Sequence, residues 1–161
     1  MSEKQKPHPL IRADAIKQLQ EQSFSHPLNP NSEIKGVFLG QAVGLQRIGI
    51  NLAYIPPGKE SFIYHSHQLE EEFIYILSGR GIAEIDGEEF EVSAGDFMGF
   101  STPSVAHHLR NPFDENLVYL MGGENCKVEI ADFPHLKKRM FRNEDEVQIV
   151  DWDNLKSFGS E

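Results

Sequence analysis

His65, His67 and Glu72 are the residues whose types and spacing most directly suggest chemistry. Two histidines at i and i+2 of a strand point to the same face, because side chains alternate faces residue by residue. Neutral imidazole nitrogen is a common ligand for borderline metal ions. Glu72 follows the turn residues Gln68 to Glu71, and an antiparallel neighbour strand would carry its carboxylate beside both rings. Two imidazoles and a carboxylate on one face, with coordination positions left open, suit Fe(II), Mn or Zn. A further nitrogen is available from His107 or His108, beyond Pro103.

A lone His-x-His in a strand is more often surface chemistry than a metal site, and this chain has 7 histidines. What sets this pair apart is the carboxylate at a fixed offset, the surrounding glycine turns and the second histidine segment. His8, His26 and His135 each sit beside a proline and are read as bland. Ser61 is a turn residue with no base placed near it, and Gly79-Arg80-Gly81 and Gly122-Gly123 are turn glycines rather than a phosphate loop. Glu70 and Glu71 are read as solvated carboxylates that help to hold their turn. Cys126 is read as a buried or half-buried, unreactive thiol.

The elements that must position these groups are short strands. Ile48, Ile50, Leu52 and Tyr54 alternate with smaller or polar residues before Pro56-Pro57-Gly58 turns the chain. Strands are predicted at Phe62 to His67, Glu72 to Ser78, Ile82 to Ile85 and Phe90 to Val92, the last pair joined by the hairpin signal Asp86-Gly87. Phe97 to Phe100, His107 to Asn111 and Leu117 to Met121 follow. Many short strands at this spacing mean an antiparallel sandwich or barrel. Ahead of them, Met1 to Pro9 reads as a loose arm and Ile11 to Leu19 has helical apolar spacing, ended by Pro27 and Pro30. The predicted organisation is an arm with a short helix over 1–35, a barrel over 36–130 and a tail over 131–161. Phe133, Phe141, Trp152 and Phe158 suggest that the tail lies against the barrel. On the strand of Glu72, Ile74 and Ile76 share its face, which makes an apolar pocket wall; Asn51 also looks inward. Phe73, Tyr75 and Leu77 face outward, where a tail or a second subunit would cover them.

Composition narrows the function. A chain of 161 residues and 18.3 kDa has the size of one domain and can bury a core without staples. Asp and Glu number 25 against 15 Lys and Arg, for a net charge of −10, which disfavours nucleic acid and anionic membranes as partners. A single cysteine excludes an internal disulfide framework and fits a reducing compartment. With no long apolar run near the start, the expected location is the cytoplasm.

Gly58, His65-Ser66-His67, Glu72 and Gly79 resemble the first motif of the cupin superfamily; Gly95-Asp96, Pro103, His107 and Asn111 resemble its second. The resemblance spans Leu45 to Gly122. Four residues separate His67 from Glu72 and six separate Glu72 from Gly79, as in the family pattern. The chain departs from it in three places: six residues lie between Gly58 and His65, seven between Gly95 and Pro103, and Ser104-Val105 stand where a glycine is usual. Pro56-Pro57-Gly58, Glu71-Glu72-Phe73 and His107-His108-Leu109-Arg110-Asn111 resemble a group of small single-domain bacterial cupins. The resemblance implies an all-β double-stranded β-helix barrel of jelly-roll type, one divalent metal (Fe, Mn, Zn or Ni) on three His and one Glu, and a homodimer.

Two spacings compete for the fourth ligand. Pro103 to His108 matches the family's proline-to-histidine count, and His107 to Asn111 matches its histidine-to-asparagine count. A strand is a stiffer ruler than the departing loop around Pro103, so His107 is the expected ligand. It shares a face with Leu109 and Asn111, the latter available to steady the site, whereas His108 shares one with Arg110, whose charge would repel a metal ion. The expected function is a metalloenzyme of oxygenase, isomerase or hydrolase type acting on a small polar organic substrate, with Glu72 doubling as a catalytic base. The alternatives are a non-catalytic, metal-dependent binder of a sugar or carboxylate, and a barrel merely braced by its metal.

Overall fold

Strands dominate, as the alternating pattern requires. A computed structural model describes residues 6–159. Its strands are β1 (Gln22–Phe24), β2 (Ile34–Phe38), β3 (Ile48–Ile55), β4 (Ser66–His67), β5 (Glu72–Ser78), β6 (Arg80–Ile85) and β7 (Glu88–Ser93). They continue as β8 (Phe97–Phe100), β9 (His107–Arg110), β10 (Leu117–Glu124), β11 (Val128–Phe133), β12 (Lys138–Asn143) and β13 (Glu146–Asp151). The short helices are α1 (Ala13–Ile16) and α2 (Leu39–Ala42). Asp86 and Gly87 adopt φ of 51° and 81°, and this two-residue turn joins β6 to β7 with Ile85 opposite Glu88. Positive φ at both central positions matches the strand twist and explains the Asp-Gly pair.

One sheet has six strands in the order β1-β2-β3-β10-β5-β8. A four-stranded piece, β13-β12-β11-β4, and a three-stranded piece, β7-β6-β9, are linked by a bridge between His65 and His107. The main apolar cluster takes Ile55, Ile76, Leu117 and Tyr119 from the first sheet and Ala83, Val92 and Leu109 from the second, so the two face each other across one core. Ile76 is 0% exposed, a burial that contributes about 1.5–3 kcal/mol. The architecture is the all-β jelly-roll barrel anticipated above.

Register fixes which side chains line the inside. Glu72 lies opposite Gly123, which lies opposite Gly49. Two residues deeper, Ile74, Met121, Asn51 and Phe38 form the next row, and Ile76, Tyr119, Ala53 and Gly36 the one after. Asn51 therefore does look inward.

The structure differs from the sequence reading in several places. The helix read over Ile11 to Leu19 shrinks to the single turn of α1, which buries none of its residues; without a buried face a short helix gains little. The stretch read as an arm also contributes β1 and β2, and buries Ile34. Residues 1–5 of the loose arm lie outside the described residues. The strand read over Phe62 to His67 is regular only at β4, with His65 in an isolated bridge. The tail is more than a wrap, since β12 and β13 extend the sheet of β11. Phe133 is buried, Phe141 half-buried and Trp152 36% exposed, but Phe158 is wholly exposed, and the expectation that it packs on the barrel is corrected.

Candidate metal centre

β4, the His65 bridge just before it, β5 and β9 bring His65, His67, Glu72 and His107 to one point: one ligand-type atom from each lies within 4.8 Å of all the others. His65 Nε2 is 3.1 Å from His67 Nε2, and they lie 3.9 and 3.7 Å from Glu72 Oε1. His107 Nε2 contacts the same Oε1. The rings are held from behind. His65 Nδ1 lies 2.6 Å from the Ile63 carbonyl and His107 Nδ1 3.2 Å from that of Val105. A carbonyl can only accept, so these Nδ1 nitrogens donate to it, and Nε2 is the ring atom each histidine turns towards the centre. Phe100 stacks on the His107 ring at 3.7 Å between centroids and fixes its plane.

Electrostatics prepare the same donor set. Burial, with repulsion from His107 and His67, pushes the His65 pKa down to about 3. Burial alone would raise Glu72, but the His107 hydrogen bond and the three imidazoles hold it down to about 2. Near neutral pH the centre thus combines a carboxylate anion with an uncharged His65. Lone pairs crowded around one point, with no Lys or Arg among them, fit a divalent cation and its N/O coordination chemistry. Gly123 leaves room for this: a Cβ there would sit 3.2 Å from the Glu72 Cβ. A cleft of about 450 Å³, lined in part by Phe100, Gly122 and Gly123, reaches Glu72. Deeper, Asn51 borders an apolar cavity of about 110 Å³ with Phe38, Phe62 and Met121.

His108 turns away, its Nε2 lying 3.4 Å from the Ser61 carbonyl and 3.7 Å from Glu60. Arg110, on the same outer face, pairs with Glu89. Ser61 Oγ accepts a hydrogen bond from the Leu109 N–H, a bridging role rather than a nucleophilic one. Asn111 is inward but does not steady the centre; it donates to the Ile55 and Glu115 carbonyls and ties down the loop before β10. Glu70 is not solvated: it is 8% exposed, accepts from the Cys126 N–H and pairs with Arg142. Glu71 is exposed. His8, His26 and His135 lie outside the cluster, His135 stacking on Tyr64 and facing Glu84. Cys126 is half-buried, with its thiol pKa raised by burial and nearby carboxylates. Two inner groups escaped the sequence reading. Tyr119 is 1% exposed, its phenol pKa raised by burial and by Glu72. Glu129 is 0% exposed.

Fold and site together define a jelly-roll barrel with a His₃Glu cluster that could hold a metal. Residues 51–123 match the Cupin domain family model. The chain is 36% identical to a protein of Acidithiobacillus ferrooxidans described as a candidate sugar phosphate isomerase; the match covers 94% of this chain and 97% of that one, with a TM-score of 0.90. It thus belongs to the cupin family. Shorter matches link it to an uncharacterized protein of Methanocaldococcus jannaschii (39% identity over 59 residues, 37% of this chain and 46% of that one). An oxalate-binding protein of Thermotoga maritima is 33% identical over 66 residues, 41% of this chain and 53% of that one. The chain spans about half the length of these two relatives. Among the described residues no helix is long and apolar enough to cross a membrane.

Proposed function

We propose that the protein is a metal-dependent enzyme that isomerises a small phosphorylated sugar. The observation that carries this reading is the convergence of His65, His67, Glu72 and His107 within 4.8 Å, beside a cleft. The full-length likeness to the Acidithiobacillus protein supports the substrate class. In this reading the four side chains hold one divalent ion, which when bound would polarise a substrate carbonyl or hydroxyl oxygen. The imidazole contacts all go to Oε1 of Glu72, which leaves Oε2 to handle a proton. Glu72 takes the proton from the carbon beside the carbonyl and returns it to the former carbonyl carbon. The hydroxyl proton moves to the former carbonyl oxygen, so aldose and ketose interconvert with no other reactant.

Protein loaded in turn with Mn, Fe(II), Ni or Zn and given aldose and ketose phosphates in D2O should interconvert them with deuterium entering at carbon, as read by NMR. Glu72→Gln should lower that rate by at least about 100-fold. Oxalate bound tightly, with no turnover of any sugar phosphate, would replace this reading by the second one, a carboxylate-binding protein, which the Thermotoga likeness favours.

We propose further that the protein acts as a homodimer in the cytoplasm. Tyr75 and Leu77 of β5 are 40% and 43% exposed and Phe97 of β8 is 65% exposed, with Phe73 stacked on Phe97. The hairpin of β12 and β13 joins β11 instead and is no strand neighbour of this face. Sedimentation at micromolar concentration should give about twice 18.3 kDa; the monomer mass would refute the dimer.

A further inference from the structure

Glu129 on β11 is a carboxylate with 0% exposure, and among the described residues no Lys or Arg pairs with it. A buried anion is expensive unless donors surround it. Here the donors are backbone. Oε1 accepts from the N–H groups of Gln68 (2.9 Å), Leu69 (3.3 Å) and Ile130 (2.9 Å), and Oε2 accepts from Glu70 (2.7 Å). Three of these four donors belong to the turn between His67 and Glu72. That turn sets how the carboxylate at the head of β5 meets the His67 imidazole at the end of β4.

A second observation points to the same residue. His65 and His107 each anchor Nδ1 on a carbonyl, but His67 Nδ1 is buried and has no hydrogen-bond partner. Glu129 Oε1 lies 3.9 Å from it. That is too long for a hydrogen bond, yet a buried anion at this distance favours the tautomer whose Nδ1–H dipole points at it. The other tautomer would turn an N–H towards the centre and withdraw the lone pair. His67, Glu70 and Glu129 also lie close enough to suggest a second ion site. Glu129 has both oxygens occupied by N–H donors and Glu70 is held by Arg142, so the group is a brace.

We propose that Glu129 is a positioning residue of the metal centre: it clamps the turn that delivers Glu72 and keeps the His67 proton on Nδ1, so that Nε2 faces the ion. This rests on the metal-binding reading above. Partners that orient a ligand from behind are worth 10–100-fold in metal affinity.

The test compares wild type, Glu129→Gln and Leu117→Ala by chelator competition for Zn²⁺ at pH 7.5, well below each melting temperature. Long-range ¹H–¹⁵N NMR reads the His67 tautomer in the metal-free proteins. Leu117 lies in the core and outside the cluster, so its variant controls for lost stability alone. In Glu129→Gln an amide N–H would oppose the Glu70 N–H, and the charge beside His67 is gone. This variant should bind Zn²⁺ about 10–100-fold more weakly and show the Nε2–H tautomer at His67, while Leu117→Ala keeps wild-type affinity. Folded Glu129→Gln that binds within threefold of wild type, with His67 still protonated on Nδ1, overturns the proposal. If Glu129→Gln does not fold, Glu129→Asp carries the same test: it keeps the charge but withdraws it by one methylene, and affinity within threefold of wild type again overturns the idea. Wild type that binds no Zn²⁺ instead overturns the metal reading itself.

Discussion

His107→Ala will bind divalent metal at least about 100-fold more weakly than wild type, whereas His108→Ala will stay within about threefold. The bound is set by the 10–100-fold that loss of an orienting partner alone removes; loss of a ligand should exceed it. The two histidines are adjacent on β9, so the strand's alternation is what separates them. His107 is 4% exposed, faces Glu72 and is stacked by Phe100. His108 faces Ser61 and Glu60. Titration with Zn²⁺ or Co²⁺ by calorimetry would decide it, and the reverse order would sink the assignment. Both variants should retain a β-rich circular dichroism spectrum, because the apolar core of Ile55, Ile76, Leu117 and Tyr119 does not include the site. An His107→Ala protein that unfolds without metal would mean that the ion braces the barrel.

The inward placement of His107 and the outward placement of His108 were legible in the sequence because a strand has a fixed period. The same rule set Ile74 and Ile76 beside Glu72 and sent Phe73, Tyr75 and Leu77 outward. Short-range turn chemistry was equally legible at Asp86-Gly87. What escaped depends on contacts between distant residues. β1 is three residues long and polar at Gln22 and Ser23; it is a strand because β2, beyond two prolines, pairs with it. Phe62 to Tyr64 has a strand's composition, yet this stretch bends so that the Ile63 carbonyl can receive His65 Nδ1. Asn111 sits on the expected face but hydrogen-bonds to carbonyls at residues 55 and 115. Glu129 lies between Val128 and Ile130 as any solvated strand carboxylate would. Three of its four donors lie 59–61 residues earlier, and no local pattern encodes them.

The metal-free protein will lose stability steadily on acidification from about pH 6.5, more steeply below about 4.5, and added metal will raise stability most at neutral pH. The sign follows from where protons bind. His65 has an ordinary value of 6.5 and a folded value of about 3. Between those limits the unfolded chain holds a proton that the folded one refuses, so stability falls as pH falls. Glu72 drops from 4.5 to about 2, so below 4.5 the unfolded chain gains a second proton that the folded protein does not, in the same direction. Each such proton is worth about 1.4 kcal/mol per pH unit where it is fully unmatched. Metal needs the same lone pairs that protons would occupy in the unfolded chain, and at 100 times its dissociation constant it adds about 2.7 kcal/mol. As affinity weakens on acidification that increment shrinks. Melting temperatures measured between pH 7.5 and 4, with and without Zn²⁺, test both parts. His65→Asn, which cannot titrate, should show a shallower decline between pH 6.5 and 4.5 by about one proton's slope. A metal-free melting temperature that stays flat or rises over that interval would show that His65 is not held neutral by its buried neighbours.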